Sequence, residues 1–216
     1  MIKTDCVHVV DDDEAVLLSV KAVLGQHGYQ VSCYLSAEQF LADAPLDGPG
    51  CVVTDVQMPG ISGIELQRRL LEMECQFSSV VVTGVADVPT AVKLMERGAI
   101  TLLEKPYNHV DLLRAVEQGL MVSLERWRQQ RSHQSVQQRL ATLTEEEGQV
   151  LSHMLAGKAN KSVARTLEIS MRTLDRRRQA VLIKLGANSV PELALMLGSV
   201  RAAECRDIDP TKATGN

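Results

Sequence analysis

Between Cys6 and residue 121 the chain alternates, five times over, a short apolar β-branched run with a longer segment whose apolar residues recur at helical spacing. This alternation constrains the fold more than any other feature. Parallel strands need a crossover between them, usually a helix, and strands covered on both faces read as continuous apolar runs. The expected strands are residues 6–10, 29–34, 51–54, 79–83 and 100–103. Helical periodicity follows in Val16, Leu17, Val20, Val23 and Leu24, which stop at Gly28, and in Phe40 and Leu41 behind the capping box Ser36-Ala37-Glu38-Gln39. It returns in Ile64, Leu66, Leu70 and Leu71 behind Ser62 and Glu65, in Ala91, Val92, Leu94 and Met95 between Asp87 and Gly98, and in Val110, Leu112, Leu113 and Val116 behind Asn108. Such a chain forms a parallel sheet with helices on both faces.

The polar residues that end these runs converge on that frame. Asp11 and Asp12 end the first strand, Asp55 the third, Thr83 the fourth and Lys105 the fifth. In a flavodoxin-like sheet of order 2-1-3-4-5 the first and third strands are neighbours at the switch point, where ligands bind at the carboxyl edge. Three carboxylates crowded there repel one another unless a cation neutralises them, and an all-oxygen set favours Mg²⁺. Asp55 can then both ligate the metal and act as a nucleophile towards phosphorus, with Thr83 and Lys105 placed to hold phosphoryl oxygens. Taken alone, Asp55 is equally readable as an acid that turns the chain before Met58-Pro59-Gly60. There is no glycine-rich phosphate loop, so nucleotide binding is not supported.

The second half differs in charge. Residues 1–121 carry a formal net charge of -9 and residues 122–216 one of +5, so only the second half is suited to a polyanion. Five cysteines (Cys6, Cys33, Cys51, Cys75, Cys205) are scattered and never spaced as Cys-x-x-Cys. They read as reduced, mostly strand-buried thiols rather than a disulfide framework or a zinc site. No run has the length of a membrane span and no signal-peptide hydrophobic region follows Met1, so the expectation is a cytoplasmic protein with no membrane partner.

Residues 122–142, free of proline and glycine and rich in Arg and Gln, predict a linker helix on which Trp127 is either an interdomain contact or an apolar anchor. Short helices follow: one behind the capping box Thr144–Glu147, one capped by Asn160, one from Ser170 to Leu185 stopped by Gly186, and one behind Ser189-Val190-Pro191-Glu192. A tight turn between the middle two predicts a helix-turn-helix. In the third, Arg172, Asp175, Arg176 and Gln179 share a polar face opposite Leu174, Val181, Leu182 and Leu185. Arg, Asp and Gln are side chains that read base edges in a major groove. Lys158, Lys161, Arg177 and Lys184 are placed to meet phosphates, and Arg178, nearer the core side, to pair with an acid such as Glu147.

Two resemblances bring these readings together. Val9-Val10-Asp11-Asp12-Asp13-Glu14, Asp55-x-x-Met58-Pro59-Gly60, Thr83-Gly84 and Glu104-Lys105-Pro106 resemble the receiver domain of two-component response regulators over roughly residues 5–121. The resemblance implies that Asp55 is the phospho-acceptor and that Asp12, Asp55 and the Gln57 carbonyl hold Mg²⁺ with help from Asp11. It further implies that Thr83 is the hydroxyl switch, that Lys105 contacts the phosphoryl group, and that the Lys105-Pro106 bond is cis. Asp13 and Glu14 are left a helix-dipole role. Leu102 departs from the pattern, standing where the family usually places an aromatic switch residue. The helix at 88–97 and the strand at Ile100 are expected to form the moving face, which in this family serves dimerisation.

Leu143-Thr144-Glu145-Glu146-Glu147, Asn160-Lys161-Ser162-Val163-Ala164 and Ile169-Ser170-Met171-Arg172-Thr173-Leu174 resemble the LuxR-type output domain. That resemblance implies a DNA-binding set of Lys161, Arg172, Thr173, Asp175, Arg176, Arg177, Gln179 and Lys184. The expected organisation is a receiver (1–121), a linker helix (122–142), a four-helix LuxR-type domain (143–200) and a mobile tail (201–216) in a regulator of the FixJ/NarL type. The implied partners are a sensor histidine kinase, double-stranded DNA, a second copy of the chain on phosphorylation, and RNA polymerase. Two alternatives stand beside it. One is a DNA-binding regulator whose receiver-like module works without phosphorylation. The other is a phosphatase of the haloacid dehalogenase kind, which needs a second Asp where Gln57 stands.

Overall fold

A computed structural model describes residues 6–84 and 99–204 of the chain. The expected helix between Asp87 and Gly98, and Cys205 with the rest of the tail beyond Glu204, lie outside the described residues. The five strands are β1 (Cys6–Val10), β2 (Gln30–Tyr34), β3 (Cys51–Asp55), β4 (Ser78–Thr83) and β5 (Ala99–Glu104). They pair in parallel in the order 2-1-3-4-5, with Val10 beside both Tyr34 and Thr54 and Thr83 beside Glu104.

The alternation of side chains along each strand fills two apolar layers. Val7, Val9, Cys51, Val53, Val80 and Val82 face Leu17, Val20 and Leu24 of α1 (Glu14–Gln26) and Leu112 and Val116 of α4 (His109–Leu140). Val10 and Val52 face the other way, onto Phe40 of α2 (Ala37–Asp43) and Leu66 and Leu70 of α3 (Gly63–Glu72). Three of these helices start where a side-chain oxygen meets the first free amides: Asp13 for α1, Ser36 for α2 and Ser62 for α3. No disulfide links Cys6, Cys33, Cys51 or Cys75; Cys51 is fully buried, which pushes its thiol up to about 12, whereas the other three are partly exposed and Cys75 lies outside the strands.

His8 is the one imidazole in this core. It is fully buried, stacks on Phe77 and Tyr34, meets Phe40 edge-on, and shares a 3.1 Å hydrogen bond with the Tyr34 hydroxyl. Burial holds its pKa down at about 4 against 6.5 in the unfolded chain. The unfolded chain therefore takes up this proton first, so stability present above pH 6.5 is lost as pH falls towards 4. Urea unfolding of the full chain at pH 7.5 and pH 5 is expected to show about 2 kcal/mol of such loss. His8→Phe, which keeps the ring packing, should remove that component, and an unchanged pH difference in the variant would assign it elsewhere.

The chain divides into two compact units, Met1–Gln129 and Gln130–Asn216. The linker expected at 122–142 is not a separate helix: α4 is continuous from His109 to Leu140, as a stretch of good helix formers allows. Within the first unit, Ser123 donates to the Gln76 carbonyl and accepts from the Gly50 amide, both at 2.8 Å, and the Trp127 indole donates to the Asp47 carbonyl at 3.3 Å. Trp127 is thus an anchor of α4 on the first unit.

In the second unit, Val136 joins a core with Val150, Leu151 and Met154 of α5 (Glu145–Leu155), Val163 and Ala164 of α6 (Asn160–Thr166), Leu174, Val181 and Leu185 of α7 (Met171–Leu185), and Leu193 and Leu197 of α8 (Val190–Glu204). Thr144 and Glu147 form the reciprocal capping box, Ser170 caps α7, and Gly186 closes α7 in the left-handed conformation at φ 71°. Two local expectations are corrected. Ala159, not Asn160, is the N-cap of α6, and the Asn160 side-chain amide oxygen accepts from Arg178 instead. Arg178 consequently does not pair with Glu147, whose carboxylate takes Lys184 instead. The last helix also runs to Glu204, past the boundary expected at residue 200, through the helix formers Arg201, Ala202 and Ala203.

Candidate functional site

The first site is built by strand ends. Asp11 follows β1 directly and is buried, Asp55 ends β3 half-buried, and Asp12 is exposed at the rim. One carboxylate oxygen from each lies within 4.8 Å of the others. Lys105, just past β5, reaches across to Asp55 Oδ2 at 2.8 Å and Asp11 Oδ2 at 3.3 Å. Thr83 ends β4 at 2 % exposure, and its carbonyl accepts from the Lys105 amide at 2.8 Å. The Lys105-Pro106 bond is cis.

Electrostatics explain what such a cluster needs. Burial, with the neighbouring Asp55 charge, raises the Asp11 pKa, although the Asp13 amide at 2.9 Å and the Lys105 ammonium oppose it. Burial also works against the Lys105 charge, yet Asp55 and Asp11 outweigh it and hold Lys105 above the ordinary lysine value. One ammonium does not balance three carboxylates. The all-oxygen donor set, with an open side at Asp12, fits a hard divalent cation.

The turn after β3 is held by residues that motif reading passed over. Gly63 opens α3 so close to the strand that an added Cβ would lie 2.1 Å from the Asp55 carbonyl oxygen. Glu38 of α2 accepts from the Ile61 amide at 2.9 Å, and hydrogen bonds from its own amide and that of Ile61 hold its carboxyl below the usual range. The only sequence signals were a glycine in a first helical turn and an acid in a capping box. Gln57 sits exposed in this turn, its amide donating to Asp55 Oδ1 at 3.3 Å. Leu102 packs with Val81, Val56 and Ile64, so leucine serves here as strand core.

The second site lies on α7. Arg172, Asp175, Arg176 and Gln179 are all exposed along one face, and Lys161 of α6 is exposed as well. Three other expected contacts are engaged internally. Thr173 shares its hydroxyl with Ser170 at 2.9 Å, Arg177 lies 3.5 Å from Glu146, and Lys184 donates to Glu147 at 2.6 Å and to the Thr142 carbonyl at 3.1 Å. The free cationic surface expected of Arg177 and Lys184 is therefore reduced by acids of α5.

Comparison with known proteins decides what the two sites belong to. The response regulator receiver domain family matches residues 7–117, and the family of bacterial regulatory proteins of the luxR type matches residues 141–197. The transcriptional regulatory protein FixJ of Azorhizobium caulinodans is 43% identical over 206 residues, covering 95% of this chain and 97% of the relative. The chain is a two-component response regulator of the FixJ type. A second relative, FixJ of Rhizobium meliloti, is 40% identical over 190 residues, 88% of this chain and 93% of its own. Among solved structures, response regulator StyR aligns with a TM-score of 0.82 at 35% identity, over 89% of this chain and 98% of its own. Full-length FixJ from B. japonicum aligns at 0.55 and 35% identity, over 92% and 98%. The regulator thus joins a receiver of the flavodoxin-like kind to a LuxR-type DNA-binding domain, the composition of a response regulator transcription factor. Among its described residues no single helix is long and apolar enough to cross a membrane.

Proposed function

We propose that this response regulator is switched by phosphorylation of Asp55 and that the exposed face of α7 reads its operator. The observation that carries the first half is the convergence of Asp11, Asp12, Asp55 and Lys105 from three strand ends on one point. A sensor histidine kinase is the donor: an Asp55 carboxylate oxygen attacks phosphorus and the bond to the kinase imidazole breaks. Asp11, Asp12, Asp55 and the backbone carbonyl of Gln57 would hold Mg²⁺. When bound, the ion neutralises the carboxylates and the charge that develops on the phosphoryl oxygens. Lys105 exchanges its contact with Asp55 for a phosphoryl oxygen, and the Thr83 hydroxyl donates to another.

The charge change then favours a homodimer, and paired output domains bind two half-sites and contact RNA polymerase, all within the cytosol. Base reading falls to Arg172, Asp175, Arg176 and Gln179, and phosphate contact to Lys161, with Thr173, Arg177 and Lys184 supporting the helix from inside. Arg176→Ala is expected to cost about 1–3 kcal/mol on a selected duplex and to relax preference at one base position. Equal loss on all sequences would make Arg176 a phosphate contact.

The test of the switch is treatment of the full chain with acetyl phosphate and Mg²⁺, followed by mass, oligomer size and DNA affinity. The expected result is a gain of one phosphoryl group, a shift to dimer and tighter DNA binding together. Leu102 favours one competing reading, a receiver that serves as an interaction module without phosphorylation. DNA binding identical before and after treatment would select that reading.

A further inference from the structure

The base-reading helix is held at its far end by a residue outside the helix-turn-helix. Arg139, in the last turn of α4, donates from Nη1 to the Leu185 carbonyl at 3.0 Å, at the C-terminus of α7. Gly186 makes room for it: a Cβ there would lie 2.5 Å from the same nitrogen. Three residues further on, the Thr142 carbonyl accepts from Lys184 at 3.1 Å. Leu174, Val181 and Leu185 pack α7 onto the core, Arg178 ties it to Asn160 of α6 and Lys184 to Glu147 of α5, and Arg139 adds the tie from α4. A hydrogen bond from a guanidinium to a terminal carbonyl is directional, and the helix dipole favours a cation at that end. Arg172, Asp175, Arg176 and Gln179 stand on the same rod, so its roll and axial position decide where their tips fall against base edges.

We infer that Arg139 is a positioning residue for DNA reading: by holding the C-terminal carbonyl of α7 it fixes the roll of the base-reading face without touching DNA itself. This rests on the reading of α7 proposed above.

The experiment uses the full chain and two duplexes, one recovered by the wild-type protein from a random-sequence library and one of the same composition scrambled. Affinities are measured over a salt series for wild type, Arg139→Met, Arg139→Lys and Arg176→Ala. Methionine keeps most of the aliphatic stem and removes the donor; lysine restores a cationic donor. Arg139→Met is expected to bind the selected duplex about 10-fold more weakly and the scrambled one as wild type does, with the slope of log K against log salt unchanged, because no phosphate contact is lost. Arg139→Lys should recover most of the discrimination. Full discrimination in Arg139→Met while Arg176→Ala loses it would overturn this inference alone. Equal weakening on both duplexes with a slope reduced by about 1 would make Arg139 a phosphate contact and overturn it too. Full discrimination in Arg176→Ala would instead remove the underlying reading. Far-UV circular dichroism at the assay temperature confirms folding, and should the methionine variant melt there, the whole comparison is made at a lower temperature at which it remains folded.

Discussion

An Asp55→Asn variant treated with acetyl phosphate and Mg²⁺ is expected to gain no phosphoryl mass, a loss of labelling greater than about 100-fold against wild type. The amide oxygen is a poor nucleophile and carries no charge for a metal to share. Nor does unfolding offer an escape. The substitution removes one of three mutually repelling carboxylates, leaves the volume nearly unchanged, and lets Lys105 keep its contact with Asp11 at 3.3 Å. The urea midpoint should therefore stay level or rise while labelling vanishes. The dimer shift and any gain in DNA affinity should vanish with it, because the proposed switch derives both from the added charge. Labelling of the variant at the wild-type rate would place the acceptor elsewhere.

The second large effect concerns a residue with no side chain. Gly63→Ala puts a methyl group 2.1 Å from the Asp55 carbonyl oxygen, 3.0 Å from its carbon and 3.1 Å from Thr54 Oγ1, so β3 and α3 must separate. Overpacking of this kind costs about 1–3 kcal/mol, and the upper end is expected because two of the three atoms struck are backbone. The displacement falls on Asp55, the proposed phospho-acceptor, and on the turn that bears Gln57. Labelling by acetyl phosphate should accordingly drop further than the stability loss accounts for, measured at a temperature where the variant remains folded. Gly25→Ala is the control: nothing lies within 4 Å of its added Cβ, and the position is inside α1, where alanine is favoured over glycine by about 0.5–1 kcal/mol. A Gly63→Ala protein as stable and as reactive as Gly25→Ala would mean that β3 and α3 are not tightly apposed.

The receiver was legible because its chemistry sits at the ends of apolar runs. Asp11, Asp55, Thr83 and Lys105 each end or directly follow a short apolar run that reads as a buried strand, so their convergence follows once strand order is assigned. The exposed face of α7 was legible for a similar reason, since helical periodicity alone puts Arg172, Asp175, Arg176 and Gln179 together. Contacts between helices were not. Whether Lys184 or Arg178 reaches Glu147 depends on the angle at which α7 crosses α5, a tertiary quantity that no spacing along one helix encodes. The same limit hid the partner of Asn160, whose side-chain Oδ1 accepts from Arg178, and the role of Arg139, which is polar and exposed in the sequence pattern of its own helix. Gly63 and Glu38 escaped because what they touch is backbone rather than any motif residue's side chain.

The contacts that Ser123 and Trp127 make have a practical meaning for anyone who cuts this protein in two. A receiver fragment ended at residue 121, where the sequence pattern of the last receiver helix fades, would strip the buried Gly50 amide and the Gln76 carbonyl of their shared hydroxyl and uncover the Asp47 loop. A fragment that ends just beyond Trp127 retains all three partners.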